Sequence, residues 1–373
     1  MYLPTLEDLG DLSGRNVLVR TDFNVPIAGE NISDDFRIRA AMPTLKYLVK
    51  AGANVTACSH LGRPDGTVNP LYSMDPVRKR LHELIPEVDL LDNLRFHPGE
   101  ISNDQQFVAS LVAGQDAYVN DAFGASHRAH ASVVGPPRTL PSAAGRMLST
   151  EVEVLLKLRE NPRRPFVAVL GGSKISDKIG VIESLLKVVD LLIVGGGMCF
   201  TFLKAQGHQV GSSLLEESQI EFCSNLLKSG APICLPHDIT AMDSEGVIGD
   251  PNAGGVVRQV GVEIQDGWMG LDIGPGSAAE FGDLISDART ILWNGPMGVF
   301  EDSRFAAGTK HIATCMAANK AGFTVVGGGD SAAAAKKFGF EDEMDHVSTG
   351  GGASLELIEK GDLPGLIALR GDS

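Results

Sequence analysis

Short β-branched runs alternate with amphipathic stretches through most of the chain, a pattern that predicts parallel strands joined by crossover helices. Strands are predicted at Asn16 to Arg20, Asn54 to Ser59, Ala117 to Asn120, Phe166 to Leu170, Leu191 to Val194, Pro232 to Leu235, Thr290 to Trp293 and Thr324 to Val326. Almost every run ends in a cluster of Gly, Asp, His or Asn. In an open parallel sheet the ligand lies at the carboxyl ends of the strands, so these clusters are the candidate site positions. The pattern breaks at Pro136-Pro137 to Pro141, resumes as a charged periodic stretch from Arg146 to Glu160, and breaks again at Asn161-Pro162-Arg-Arg-Pro165. Prolines that cannot continue a helix bound this stretch, which predicts a helix over about 147–162 linking two domains of one α/β architecture. A surface helix with no linking role is the competing reading.

Two of the strand ends repeat one motif. Thr324-Val-Val-Gly-Gly-Gly-Asp330 precedes an alanine-rich helix, and Val347-Ser-Thr-Gly-Gly-Gly-Ala353 precedes Ser-Leu-Glu-Leu-Ile-Glu. Glycine at a strand-to-helix turn lets the backbone approach a ligand, while the unpaired amides and positive dipole end of the helix favour an anion. Gly327, Gly328 and Gly329, and again Gly350, Gly351 and Gly352, are therefore candidate phosphate cradles. Asp330 is placed to hold a metal ion and Thr349 to donate a hydroxyl. Two cradles in one chain point to phosphoryl transfer, against the alternative of glycines kept for packing alone.

A third such turn is Leu170-Gly171-Gly172-Ser173-Lys174-Ile-Ser-Asp177-Lys178. Its glycines are expected to clear space for phosphate, with two lysines four apart on one face of the ensuing helix. Lys174 is expected to reach a transferring phosphoryl group and Lys178 the nucleotide phosphates. Val194-Gly195-Gly196-Gly197-Met198 is a candidate apolar wall for a nucleotide base. In Trp293-Asn294-Gly-Pro-Met-Gly-Val-Phe-Glu301 the carboxylate is a candidate ribose acceptor.

The first half of the chain carries different chemistry at its strand ends. The segments are Arg20-Thr-Asp22-Phe-Asn24-Val-Pro26, Asp35-Phe-Arg37-Ile-Arg39, Ser59-His60-Leu61-Gly62-Arg63-Pro64, Asn93-Leu-Arg95-Phe-His97 and Ser126-His127-Arg128-Ala-His130. Arg37, Arg63, Arg95 and Arg128 with His60 are expected to form a basic pocket suited to a phosphate and a carboxylate by forked hydrogen bonding. Any one arginine alone is better read as a surface ion pair. Asp22 and Asn24 add acceptors for a substrate hydroxyl, with an Asx turn before Pro26 as the alternative.

Composition narrows the partners. A net charge of −15 over 373 residues repels nucleic acid and anionic membrane surfaces, so neither is expected as a partner. An anionic small molecule responds to local cations instead. The start of the chain has no basic region and no apolar stretch, and the longest apolar run, near Val188 to Leu203, is broken by Asp190 and glycines. No secretory signal and no membrane span are expected, and the cytoplasm is the default location. The five scattered cysteines have no CxxC spacing and read as buried thiols of a reducing compartment.

Taken in order, "RTDFNVP", "SHLGRP", "LRFH", "HRAH", "GGSKISDK", "WNGPMGVFE", "GGGDS" and "VSTGGGAS" resemble phosphoglycerate kinase, from about Leu12 to Glu359. The resemblance implies ATP-dependent, reversible phosphoryl transfer between 1,3-bisphosphoglycerate and ADP in glycolysis, with Mg2+, by a monomer. It also implies two Rossmann-like three-layer domains with parallel sheets. Residues 1–146 would hold 3-phosphoglycerate and 163–355 the nucleotide, with about 356–373 returning to the N-terminal domain. On matching positions, Asp22, Asn24, Arg37, His60, Leu61, Gly62, Arg63, Arg95 and Arg128 would bind the triose. Gly171, Gly172, Lys174, Lys178, Gly195, Gly196, Glu301 and the loop Gly327 to Ser331 would bind the nucleotide, with Asp330 on the metal. Arg37, Lys174, Gly350 and Gly351 would neutralise the transferring group, supported by Thr349 and Gly352. The chain is short for the family and has Ser331 where Thr is common. A nicotinamide dehydrogenase needs G-x-G-x-x-G and a P-loop ATPase needs Gly-Lys-Ser or Gly-Lys-Thr, and neither occurs. A non-catalytic nucleotide-binding module of the same fold is the remaining alternative.

Overall fold

The computed structural model describes residues 1–29, 31–250 and 252–371. The chain divides into two compact units, residues 1–155 with the segment from 352 onward, and residues 156–351.

The first unit contains β1 (Asn16–Thr21), a small antiparallel hairpin of β2 (Ile27–Ala28) and β3 (Asn31–Ile32), then β4 (Asn54–Cys58), β5 (Val88–Leu90), β6 (Ala117–Asp121) and β7 (Ser142–Ala144). Its main sheet is parallel throughout, in the order β5-β4-β1-β6-β7. Every residue of β1 after Asn16 is buried, and all of β6. Parallel strands are covered on both faces, which is why they read as unbroken apolar runs rather than as alternation. Val17, Val19, Leu45, Leu48, Val77 and Leu81 form the heart of the core on one side of this sheet. The strand order reverses between β1 and β6, and their carboxyl ends frame the crevice where such sheets bind ligands.

The second unit contains β8 (Phe166–Leu170), β9 (Leu191–Val194), β10 (Ile233–Cys234), β11 (Asp238–Asp243), β12 (Val257–Gly261), β13 (Trp268–Ile273), β14 (Thr290–Asn294), β15 (Phe323–Val326) and β16 (His346–Val347). The parallel sheet β10-β9-β8-β14-β15-β16 repeats the topology of the first, reversing between β8 and β14. Leu170 and Asn294 are register partners, so Gly171 and Gly295 leave the sheet side by side.

All eight predicted strands form. The sequence pattern missed the antiparallel sheet β12-β11-β13. Its outer strand β12 is mostly exposed and carries no apolar run, and the signal that was available is the Asp266-Gly267 turn ahead of β13.

The proline-bounded stretch is the helix Arg146–Glu160, and the division between units falls within it, after Leu155. Its first turn is held by Thr44 Oγ1, which accepts from Arg146 N at 2.8 Å, and by Asp121 Oδ1, which accepts from Leu148 N at 3.1 Å. The last helices, Gly352–Lys360 and Pro364–Arg370, belong to the first unit. Gly365 N donates to Ser126 O at 2.8 Å, and a Cβ at Gly365 would lie 2.9 Å from Ser126 Cβ and Val133 Cγ1, so close docking here requires glycine. No helix of the described residues is long and apolar enough to cross a membrane. The cysteines are free thiols, three of them buried, whereas Cys234 and Cys315 are only half-buried.

Candidate active site

In the first unit the candidate triose residues stand at the carboxyl ends of the strands. Asp22 and Asn24 follow β1, His60, Leu61 and Gly62 follow β4, Arg95 lies in the turn Leu94–Phe96 after β5, and Arg37 lies in the helix Phe36–Ala40. Arg37 is ion-paired to the buried Asp22. Burial opposes ionisation of Asp22, but the positive charges of Arg37 and Arg20 and the Asn24 amide that donates to its carboxylate bring its pKa below the ordinary carboxylate value. Asn24 Oδ1 accepts from Gly62 N at 2.9 Å, and Arg95 Nη1 donates to Gly62 O at 2.7 Å, so both hold the same turn. Burial, then the charges of Arg20 and Arg128, lower the Arg95 pKa to about 10, which leaves it charged at neutral pH.

Arg63 and Arg128 are exposed, and neither guanidinium has a hydrogen bond or ion pair with protein among the described residues. Two residues that sequence reasoning left aside organise this cluster. Asn93 Oδ1 accepts from Leu61 N at 3.2 Å and Arg95 N at 3.0 Å, while its Nδ2 donates to Leu61 O at 2.7 Å. Arg20, wholly buried, reaches His60 Nδ1 at 3.1 Å.

In the second unit a pocket of about 450 Å³ opens at the strand ends. Phe200, Leu214, Ile248, Met269, Leu271 and Met297 give it an apolar lining, with Gly172, Gly196, Glu301 and Asp330 also in its wall. The size suits a small ligand with one apolar face and a few fixed polar groups. Leu214, Met269 and Leu271 were not foreseen, because the last two sit on the unpredicted strand β13.

The glycines fall into two kinds. The amides of Gly171, Gly172, Gly195 and Gly196 already donate to Asn294 O, Pro296 O, Leu170 O and Met297 O at 3.0, 2.9, 2.8 and 3.1 Å. These four amides are thus engaged by protein carbonyls, unlike those of an open phosphate cradle. A Cβ at Gly171 would stand 2.1 Å from Pro296 O, one at Gly195 2.5 Å from Met297 Sδ, and one at Gly196 2.6 Å from Gly172 N, so these three glycines let protein backbone and side chains close up on one another. By contrast, beyond its own chain neighbours a Cβ at Gly172 would meet only Lys178 Cε at 3.9 Å, and at Gly329, Gly351 and Gly352 no atom outside the adjoining residues and the helix's own backbone comes within 4 Å of that position. Gly329, Asp330 and Ser331 open the helix Gly329–Lys337, where the first amides have no intrahelical partner. Gly327 N is bonded to Trp293 O at 2.8 Å, a Cβ at Gly328 would press within 2.8 Å of Asn294 Nδ2, and Gly350 N donates to Ser348 Oγ at 3.1 Å. Thr349 lies between β16 and that turn.

The two lysines do not share a helical face. The helix starts at Ile179, Lys178 lies in the short turn Ser176–Lys178 before it, and Lys174 lies in the loop ahead. Glu216 holds the intervening segment off the helix by accepting from Ile175 N at 2.5 Å and from Ser176 N and Oγ at 3.1 and 2.5 Å. Lys174 is exposed, whereas Lys178 is half-buried and donates to Asn294 O at 3.2 Å and to Asn294 Oδ1. Burial lowers the Lys178 pKa to about 8, with Asp330 and Asp177 acting against it. Asn294 Nδ2 donates to Gly327 O at 2.8 Å, tying Lys178 to the glycine loop, and Ser331 Oγ accepts from Gly295 N at 2.5 Å. Lys337 Nζ donates to the carbonyls of Phe300 and Glu301 at 2.9 and 3.2 Å and so steadies the segment that carries Glu301.

Among the described residues no three His, Cys, Asp or Glu side chains are grouped to hold a metal ion. Asp330 alone, beside a helix start that favours phosphate, fits a magnesium ion that arrives with its nucleotide and needs one or two protein carboxylates rather than a cage.

Twin parallel sheets, one ending in an apolar pocket with lysine, carboxylates and an open helix start, the other in arginines around a buried carboxylate, define a phosphotransferase of α/β fold. The phosphoglycerate kinase family model matches residues 6–89 and 85–361. The chain belongs to the phosphoglycerate kinase family, whose enzyme class transfers phosphoryl groups to a carboxyl acceptor (EC 2.7.2.3) in glycolysis. It is 50% identical over 384 aligned positions to a phosphoglycerate kinase of Rubrobacter xylanophilus, spanning 96% of each chain. It is 48% identical over 391 positions to cytosolic phosphoglycerate kinase 3 of Arabidopsis thaliana, again over 96% of each. The solved phosphoglycerate kinase of Coxiella burnetii superposes with a TM-score of 0.89 at 35% identity over 99% of both chains. That of Pyrococcus horikoshii gives 0.84 at 28% identity, over 99% of this chain and 98% of the other.

Proposed function

We propose that this chain moves a phosphoryl group reversibly between 1,3-bisphosphoglycerate and ADP, with the triose held in the first unit and the nucleotide in the second. The observation that carries the assignment is the opposite chemistry at the ends of two like sheets. Arg37, His60, Arg63, Arg95 and Arg128 with Asp22 and Asn24 suit an anion bearing a hydroxyl. The pocket of the second unit suits a purine, with Glu301 for the ribose and the helix start at Gly329 for phosphate. Asp330 would hold Mg2+, which supplies charge neutralisation on the phosphates when bound.

The acceptor in the ATP-consuming direction is a carboxylate, already ionised at neutral pH, so no general base is needed. The residues instead position and neutralise. Arg37 and the turn Gly350 to Gly352 take part of the charge on the transferring group, and Lys174, exposed and unpinned, is free to follow it. Lys178 exchanges Asn294 for nucleotide phosphate. Arg37 belongs to one unit and Lys174 to the other, so this reading requires the units to close during turnover, with the helix Arg146–Glu160 as hinge, and closure would keep water from the acyl phosphate. A cytoplasmic monomer accompanies this reading, in keeping with the "cytosolic" of the Arabidopsis relative's name.

The test is ATP consumption with magnesium, with and without 3-phosphoglycerate, the product being removed by a coupling dehydrogenase. Turnover only with the triose is expected. Tight ATP binding without triose-dependent turnover would leave a non-catalytic nucleotide-binding module instead.

A further inference from the structure

Beneath the arginine cluster of the first unit runs a chain of buried polar groups that the reaction scheme does not use. Glu100 is wholly buried, and its two oxygens accept from Ser132 Oγ at 2.7 Å and Ser132 N at 2.9 Å. The Ser132 proton is thereby committed to Glu100, which leaves the hydroxyl oxygen to accept from Arg20 Nε at 2.8 Å. Tyr118 donates to Ser132 O at 2.7 Å and fixes the backbone at that point. Arg20 Nη1 donates to the carbonyl of Thr21, and Nη2 faces His60 Nδ1 at 3.1 Å. A buried cation and a buried carboxylate, one hydroxyl apart, thus lock the guanidinium with one edge against the imidazole.

A guanidinium has donors and no acceptor, so the ring atom facing it must supply a lone pair. With Nδ1 accepting, the only ring proton of His60 lies on Nε2, which has no protein partner among the described residues. The charged groups around the ring are Arg20 from β1, Asp22 just beyond it, Arg37 from the helix Phe36–Ala40 and Arg95 from the turn Leu94–Phe96. That is three cations against one carboxylate, and the carboxylate is already engaged by Arg37. Burial and then the Arg20 charge hold the His60 pKa well below its usual value, in agreement with a neutral ring.

We infer that Arg20 is a positioning residue that fixes His60 as the neutral Nε2–H tautomer, so that the ring offers a hydrogen-bond donor to an oxygen of the phosphorylated carboxylic acid. The opposite tautomer would turn a lone pair toward an anion, and an imidazolium would set its own N–H against the guanidinium. The functional half of the inference rests on the proposed reading of His60 as a triose residue, whereas the tautomer itself does not.

The test begins with the unmodified protein, labelled with 15N in histidine, by long-range proton–nitrogen spectra of the imidazoles from pH 5.5 to 8. A His60 ring protonated at Nε2 and bare at Nδ1, unchanged over that range, is expected. A proton on Nδ1, or conversion to the imidazolium above pH 5.5, overturns the inference. In Arg20→Met the ring is expected to titrate within the range and KM for 3-phosphoglycerate to rise roughly three- to tenfold at pH 8, the worth of one neutral hydrogen bond, with KM for ATP unchanged. An Arg20→Met ring that stays neutral with its proton on Nε2 overturns the role given to Arg20. His60→Ala separates the two layers. If it leaves KM for the triose unchanged while the wild-type spectrum shows the expected tautomer, the assignment of His60 to the substrate site fails and the tautomer stands.

Discussion

Replacing Lys178 with methionine should make the apo fold more stable while disabling it. The ammonium is half-buried with only Asn294 as a fixed partner, and burial takes its pKa from 10.5 to about 8. A lysine so shifted costs the native state on the order of 3 kcal/mol at pH 7, because the unfolded chain holds the proton more tightly. The sign follows from the direction. The cost is complete below pH 8 and fades as pH rises toward 10.5, so this residue makes the wild type more stable with increasing pH in that window. Methionine has nearly the same reach and no charge. Set against the lost hydrogen bonds to Asn294, about 1 kcal/mol each, Lys178→Met should gain about 1–2 kcal/mol at pH 7, and the gap should narrow by about 2 kcal/mol by pH 9.5. Urea unfolding followed by tryptophan fluorescence reads the correct unit, since the two tryptophans of the chain, Trp268 and Trp293, both lie in residues 156–351. The same variant should lose roughly a hundredfold in kcat, as for removal of one donor that stabilises developing charge. A variant less stable than wild type at pH 7, or an equal gap at both pH values, would refute the reasoning.

The glycines give a paired prediction. Gly196→Ala should destabilise by about 2 kcal/mol or more, since φ is +63° and the new Cβ would lie 2.6 Å from Gly172 N. Gly352→Ala should leave stability within about 1 kcal/mol, having open space and no positive φ, yet lower kcat; equal unfolding midpoints for the two variants would contradict this. Asp272, buried in the pocket wall, has a pKa raised to about 7 by burial, against the pull of the Gly308 and Ile273 amides. A carboxyl with a raised pKa stabilises the fold below its unfolded value and loses that contribution as pH climbs through 7. Asp272→Asn should therefore gain on the wild type between pH 5 and 8 in urea unfolding, and a gap that moves the other way counts against it.

Legibility of the site varied by residue. Asp22, His60, Glu301 and Asp330 stand where the strand-end rule put them, because a parallel sheet must present its carboxyl ends together. Asn93, Arg20 and Glu216 escaped notice, since each acts by holding another residue, and such a role depends on partners distant in sequence. Gly171 looked like a phosphate turn from its neighbours alone, yet what approaches it is the loop after β14, more than a hundred residues further along the chain.

The local pattern of the chain was enough to set the two parallel sheets, the helix at Arg146–Glu160 and the chemical character of each half, because burial on both faces, proline and glycine act within a few residues. Tertiary structure alone decided which glycines stay open to a ligand, that Lys174 is free while Lys178 is pinned to Asn294, and that β13 walls the apolar pocket of the second unit. Each of these depends on which distant segments share space, and on how much water they exclude from the groups between them.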